Sequence, residues 1–403
     1  MIKTITKKAT PLILSESISK LILFLWASWL AKKIGVDLFG QYIFLISFTL
    51  LFTFIPDLGI GFISLKQLSQ KTKQAKTNWH QYLSANKLLS LLAFISIILG
   101  LLITSKSSSF SFFLLSLVSL NFAFSSLRSP HLIYLQAQQK TKALAAFNAL
   151  NALVPSLFSL VAILINPTLV NLFLSLSLGM LVSLISLVFY TRSVHRFSWH
   201  PLKKVVIKRL LHQSWPLGLA AFLGMVYAKA DNLIIIAMLS TTALGYFGVT
   251  SLIVTGLITV FGNALATITF PVMAKKNLNK QLVLKISGLL FSLGLILTFL
   301  SFLLTPLIVK YLFGASYQPV INLVKLLSLV IPFTLLTRQL EQVIIIASKQ
   351  KTYLKLNTIA VLINLFLNLT LIPIFNLNGA ILARLISQLI ITFIFIKKTR
   401  TLI

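Results

Sequence analysis

Divided at its basic and turn-rich breaks, the chain resolves into apolar stretches of about 18 residues or more, the length a helix needs to cross a bilayer. There are twelve. The first six are Pro11 to Ile34, Leu38 to Leu65, Tyr82 to Thr104, Phe110 to Tyr134, Leu144 to Ile165 and Val170 to Thr191. The second six are Pro216 to Leu239, Ala243 to Ala274, Val283 to Leu312, Gln318 to Ala347, Tyr353 to Phe375 and Gly379 to Ile396. Connections are short except Lys66 to His80 and Arg192 to Gln213, neither of which can fold alone. Hydrophobic residues make up 57% of the 403, charged residues 10%, and mean hydropathy is +0.96. A soluble domain carries about a quarter charged residues, so no room is left for one. The expected fold is an all-α polytopic membrane protein with about twelve transmembrane helices.

Charge placement tests this partition. Lys and Arg total 36 against 5 Asp and Glu. With both termini cytoplasmic, twenty-six of the basic residues fall on the cytoplasmic side and four (Lys32, Lys33, Lys106, Lys310) on the other. That is the asymmetry expected of an inner-membrane protein. The N-terminal Lys3, Lys7 and Lys8 before an apolar run resemble a signal peptide. Ser15-Glu16-Ser17 interrupts that run and no small-residue cleavage site follows, so it reads as an uncleaved first span. A pI near 10.6 would suit a nucleic-acid binder, but the hydropathy would not, and no nucleic-acid partner is expected. Leu202 to Leu211 puts Leu202, Val205, Val206 and Leu210 on one helical face and Lys203, Lys204 and Lys208 on another. This predicts a basic interfacial segment over 202–212, on the inner leaflet, linking two bundles.

Several chemistries are missing. There is no cysteine, hence no disulfide, thiol nucleophile or cysteine-based metal site. None of the five histidines has metal-ligand spacing, and all read as interfacial. No Gly-rich phosphate loop or paired-carboxylate site occurs. No catalytic residue, metal or cofactor is expected, and the chain does not read as an enzyme.

The two halves echo each other. Gly35-Val-Asp-Leu-Phe-Gly40-Gln-Tyr42 is matched by Ser240-Thr-Thr-Ala-Leu-Gly245-Tyr-Phe247, and Gln139-Lys-Thr141 by Gln350-Lys-Thr352. Six helices per half is an even number, so both halves enter the membrane the same way, related by an axis along its normal. The expected organisation is an N-terminal six-helix bundle over 1–200 and a C-terminal one over 201–403.

Taken in order, a further set of motifs resembles the Wzx-type O-antigen and polysaccharide flippases. These form the polysaccharide-transporter branch of the multidrug/oligosaccharidyl-lipid/polysaccharide exporter superfamily. The motifs are Gly35-x4-Gly40-x-Tyr42, Pro56-Asp57-Leu58-Gly59-Ile60-Gly61, Asp231-Asn232, Leu244-Gly245-Tyr246-Phe247 and Pro271. Gly314-x2-Tyr317-x-Pro319, Asn364-x3-Asn368-x3-Ile372-Pro373 and Asn378-Gly379-Ala380 complete the series. The resemblance implies two pseudo-symmetric six-helix bundles around a central cavity. It also implies transfer of a polyprenyl-pyrophosphate-linked oligosaccharide, an O-antigen or other surface-polysaccharide unit, to the outer leaflet. Its partners would be that glycan, membrane lipids and other polysaccharide-assembly proteins. The chain departs from the pattern in its few carboxylates and in Arg384, in a helix that is usually apolar.

A charge at the bilayer centre costs at least ~3 kcal/mol, so ionisable residues within spans are functional candidates. Lys20, Lys87, Lys229, Lys325, Arg338 and Arg384 are the basic ones; Glu16, Asp57, Asp231 and Glu341 are the acidic ones, while Asp37 is expected to cap helix two. Glu16 with Lys20 and Arg338 with Glu341 are spaced to pair along one helix face. Asp57 follows Pro56, whose kink frees backbone groups for a carboxylate to satisfy. The surplus of positive charge suits a pyrophosphate. Lys20, Lys229 and Arg384, supported by Arg338 and Lys325, are the expected pyrophosphate ligands. Asp57, Asp231, Glu341 and Glu16 are the expected ion-coupling or charge-balancing groups. The rivals are a multidrug exporter, which should present an acidic or aromatic cavity, and a lipid II exporter, whose branch typically has two further C-terminal helices. A membrane polymerase or glycosyltransferase should show a carboxylate-rich catalytic loop, whereas the longest loops here lack Asp and Glu.

Overall fold

A computed structural model of the protein describes residues 2–70, 75–104, 110–194, 204–275, 280–347 and 349–402. The described residues are helical, joined by short turns. In order the helices are α1 (Ile2–Leu51), α2 (Phe54–Asp57), α3 (Ile60–Ser69), α4 (Ala75–Thr104), α5 (Phe112–Leu127), α6 (Ser129–Ala137) and α7 (Thr141–Ile165). They continue with α8 (Leu169–Val194), α9 (Lys204–Met238), α10 (Thr241–Lys275), α11 (Lys280–Ile308), α12 (Val320–Ser328), α13 (Ile331–Ile346) and α14 (Gln350–Arg400). Among the described residues nine helices are long and apolar enough to cross a membrane, or ten if α12 and α13, bent by 42°, form one span. Two of these segments are unusually long. Ile18–Asp57 has 40 residues and Lys351–Arg400 has 50, about twice what a ~30 Å hydrocarbon layer requires. Each carries a backbone break, at Gly35 (φ 82, ψ 172) and at Asn376 (φ 53, ψ −134).

The outward faces are apolar. Phe189, Phe299, Phe366 and Phe393 are exposed, while Asn86, Ser90, Thr250, Asn364 and Asn368 are buried. This inversion of the soluble pattern suits lipid, where small and polar side chains hold helices together. Many buried hydroxyls bond back to their own helix, as Ser119 does to the Leu115 carbonyl at 2.9 Å, so they bury no unsatisfied group.

The chain forms two compact units, residues 1–26 with 45–225 and residues 27–44 with 226–403. In the first, Trp79, Tyr82, Tyr134, Leu135, Phe147, Leu187 and Leu210 form an apolar cluster. The helix expected over Leu38 to Leu65 is broken. Leu58 (φ 46) and Gly59 (φ 78) are left-handed, which ends α2 and starts α3. The expected span Phe110 to Tyr134 likewise parts at Arg128, where α5 gives way to α6. Residues 204–211 do not form a separate surface helix; they are the first turns of α9, which runs on to Met238. The reason is visible in the packing. Val206 and Leu210 pack against the aromatic cluster, while Val205, expected on the same face, is 81% exposed. Leu202 and Lys203 lie outside the described residues.

In the second unit the two echoing motifs face each other. A Cβ on Gly40 would strike the Thr241 carbonyl, and one on Gly245 would strike the Val36 carbonyl. These glycines allow a backbone approach that no other residue permits. Asp37, expected to cap helix two, instead accepts from the hydroxyls of Thr241 and Thr242 and from Gln41 Nε2 (2.8 Å). Tyr317 Oη adds a bond to the Ala31 carbonyl at 3.1 Å.

Candidate functional site

Asp231 on α9 is the centre of the most developed polar cluster in the second unit. Its side chain is 2% exposed, just before the apolar run Leu233 to Met238 that ends the helix. Two parts of α14 reach it. Before the Asn376 break, Asn364 and Asn368 are spaced i,i+4 and therefore share a face. Asn368 Nδ2 donates to Asp231 Oδ1 at 2.8 Å and also to the Asn364 carbonyl at 2.9 Å. After the break, Arg384 Nη1 donates to Asp231 Oδ2 at 3.2 Å, with the Arg384 side chain 26% exposed. The break turns the second half of α14 back so that both halves meet one carboxylate.

Lys229 lies two residues before Asp231, and its charge is felt alongside those of Arg384 and Asp231. Asp231 thus has one bonded cation, Arg384, and a second, Lys229, within electrostatic range. The cluster also has spare acceptors, because the buried Oδ1 atoms of Asn364 and Asn368 lack a hydrogen-bond partner among the described residues. A layer of neutral polar groups continues from it. Gln388 Nε2 donates to Thr337 Oγ1 at 2.9 Å, Thr337 and Thr392 hydroxyls are 2.9 Å apart, and Tyr227 Oη is 3.5 Å from Gln388 Oε1. On α13, Arg338 and Glu341 interact electrostatically, and the Arg338 guanidinium lies over Gly262, where a Cβ would come within 3.0 Å of Nη1.

The sequence-derived candidates separate into distinct places. Lys229, Asp231 and Arg384 are brought together. Arg338 and Glu341 share α13, and the charge of Glu341 is also felt at Tyr227, which borders the cluster. Lys325 sits half-buried on the amphipathic α12 and makes no bond to Asp231. Lys20 is half-buried and belongs to the first unit; the side chain of Glu16 lies outside the described residues. Asp57 serves the break in the first unit. Its carboxylate accepts from the amides of Gly59 (3.2 Å) and Gly61 (3.0 Å) and from Tyr82 Oη (2.5 Å). This is the role that the Pro56 kink suggested, since the carboxylate satisfies amides at the start of α3.

Arg384 has no partner within its own helix by spacing, and its bond to Asp231 comes from a different helix, which no local spacing announces. Asn368 is the residue the charge count missed, although the Asn364-x3-Asn368 spacing in an apolar helix was a usable signal. Arg128 is among the twenty-six basic residues assigned to the cytoplasmic side. Counted as a cytoplasmic loop charge, it is 3% exposed and donates to Asn151 Oδ1 and, at 3.0 Å, to the Phe147 carbonyl. His131, read as interfacial, is buried with Nδ1 2.9 Å from Thr191 Oγ1. No group of three or more His, Cys, Asp or Glu that could hold a metal occurs among the described residues.

Residues 5–277 match the model of a family described as polysaccharide biosynthesis protein. Among solved structures, the chain is similar to a lipid II flippase MurJ in an inward closed conformation, at 15% identity and TM-score 0.81, covering 96% of this chain and 87% of that one. It is also similar to an outward-facing multidrug resistance MATE family transporter of the MOP superfamily, at 12% identity and TM-score 0.65, covering 99% and 95%. An inward-facing conformation of such a transporter aligns at 13% identity and TM-score 0.67, covering 96% and 95%. No curated protein sequence matches the chain significantly.

Proposed function

Since this chain belongs to the polysaccharide biosynthesis protein family, we propose that it is a flippase for a polyprenyl-pyrophosphate-linked oligosaccharide. The cargo is the repeat unit of an O-antigen or another surface polysaccharide, moved from the cytoplasmic to the outer leaflet by alternating access. The observation that carries this reading is the charge balance at Asp231. Arg384 is bonded to that carboxylate and Lys229 stands beside it, so the cluster keeps a net positive charge at membrane depth. A neutral sugar or a cationic drug gains nothing from such a field, while a pyrophosphate gains charge-assisted hydrogen bonds. Lys325 and Arg338 are further cations of the second unit for the same headgroup, and Asp231 and Glu341 are the carboxylates available for ion coupling. Twelve crossings follow if Ile18–Asp57 and Lys351–Arg400 each cross twice, at the Gly35 and Asn376 breaks, and α12 with α13 crosses once. The basic asymmetry then puts both termini in the cytoplasm.

The test is a deletion strain in which lipid-linked repeat units are followed across the inner membrane. Their accumulation on the cytoplasmic leaflet, restored by the wild-type chain and by Lys229→Arg but not by Lys229→Ala, is the expected result. Full restoration by Lys229→Ala would remove the pyrophosphate assignment. A lipid II flippase is the second reading, favoured by the TM-score of 0.81 to the lipid II flippase structure. Accumulation of lipid II in the same strain selects it.

A further inference from the structure

We propose that the second unit holds a binding site for an uncharged sugar, in a cavity of about 610 Å³ where the α9–α10 turn, the start of α12 and the α14 break meet. The identity of the ligand rests on the glycan-carrier reading above; the site itself rests on the cavity. Its volume lies within the ~300–1,000 Å³ of small-molecule pockets, but it is an open surface concavity, with Ser240, Phe375, Asn376 and Asn378 exposed along it.

The lining is chemically selective. Ser240, Thr242, Tyr246, Phe375, Asn376 and Asn378 supply hydroxyls, amides and two aromatic rings, and no lining residue carries a charge. That excludes a phosphate or an ammonium as the favoured occupant. Amide and hydroxyl groups match the donor and acceptor pattern of sugar hydroxyls, while an aromatic ring matches the C–H face of a pyranose. The ring of Tyr246 is held in place by an edge contact to Tyr317, with centroids 6.3 Å apart and planes at 89°. Phe375 is 49% exposed and lines the same concavity. Asn376 and Asn378 are exposed, so their amides are accessible to a ligand.

The backbone points the same way. Asn376 adopts φ 53, ψ −134, a conformation glycine takes freely. Strained residues of this kind concentrate at ligand sites. An amide is kept at a position where the backbone favours glycine, and it lines the cavity. The location also fits a carrier. The connections at the opposite end of this unit carry Lys280, Lys285, Lys349, Lys351 and Lys355, the basic side by the positive-inside rule. The cavity therefore faces the leaflet that receives the glycan.

The test uses the full chain in lipid nanodiscs and soluble probes without lipid or pyrophosphate: methyl glycosides of glucose, galactose and rhamnose, N-acetylglucosamine, maltose and chitobiose. Saturation-transfer NMR and calorimetry are expected to detect at least one of them binding with a millimolar Kd. Asn376→Gly keeps the backbone and deletes only the amide. That variant and Asn378→Ala should each weaken binding about tenfold or more without lowering thermal stability, Asn376→Gly being at least as stable as the wild type. No saturable binding by any probe, or equal binding by a folded Asn376→Gly chain, overturns the site. Loss of sugar binding with lipid-linked glycan still translocated by the wild-type chain sinks this site alone. Intact sugar binding with no such translocation sinks the flippase reading and leaves the site standing.

Discussion

Replacing Arg384 by Met should destabilise the second unit more than replacing Asp231 by Asn, and the double variant should recover most of the loss. The reasoning starts from the unequal burial of the two partners, 26% exposed for the Arg384 side chain and 2% for Asp231. Arg384→Met leaves a carboxylate with almost no access to water and only neutral donors, among them the Asn368 amide at 2.8 Å and the Asn364 side chain. Breaking a buried pair from one side costs ~3–5 kcal/mol, because the orphaned charge stays desolvated. The retained Asn368 bond and the partial exposure of Arg384 place this case near ~3 kcal/mol. Asp231→Asn leaves instead a guanidinium that can turn toward water, so ~1–2 kcal/mol is expected, close to the loss of a charged hydrogen bond. With both changes, an amide faces a thioether and neither member of the pair is left charged; Lys229 loses its neighbouring carboxylate in Asp231→Asn and in the double variant alike. The double-mutant cycle should therefore show a coupling of ~1.5–3 kcal/mol. Equilibrium unfolding in mixed micelles, titrated with SDS, measures all four proteins. Additive losses, or an Arg384→Met effect below ~0.5 kcal/mol, would show that the pair is not the organising contact described. Translocation assays on the same variants then separate support of the fold from contact with the cargo. A stable double variant that fails to translocate assigns the pair to the cargo.

Two further outcomes follow from the glycines and from Asp57. Gly35→Ala and Gly40→Ala should both destabilise, for different reasons: Gly35 has open space but φ 82 and ψ 172, a glycine-only region that costs another residue ~1–3 kcal/mol, whereas Gly40 has no room beside the Thr241 carbonyl. Gly40→Ala should therefore lower thermal stability more than Gly35→Ala in the same detergent. Tyr82→Phe removes the 2.5 Å bond to the Asp57 carboxylate, and a loss of ~1.5–3 kcal/mol is expected by SDS titration. Little change would mean that the Gly59 and Gly61 amides hold Asp57 by themselves.

The corrections share a physical cause. Helical spacing reports on neighbours three and four residues apart, and it served Asn364 with Asn368 and Arg338 with Glu341. It has no means of reporting the Arg384–Asp231 bond, whose partners are 153 residues apart. Arg128 misled for a related reason. Basic residues between apolar runs are assigned to water, yet this one lies at a helix joint where the Asn151 side chain and the Phe147 carbonyl receive it. Val205 was placed on the buried face by assuming a helix resting on a membrane surface. The same residues in a continuous α9 present Val206 and Leu210 to the aromatic cluster and turn Val205 outward.

The all-helical membrane class was written in the apolar stretches, because the bilayer imposes a minimum length and forbids unpaired backbone groups, and both demands act locally along the chain. Helix breaks were legible to a degree, since Gly35, Gly59 and Pro56 mark them, while Asn376 does so only weakly. Which charges neutralise one another was not legible. Asp231 became one partner among Arg384, Asn368 and Lys229 only when α9 and both halves of α14 packed together. The sequence supplied a surplus of positive charge. Tertiary packing determined which part of it is bound to a carboxylate and which part remains beside it, because electrostatic pairing depends on distance in space and not on separation along the chain.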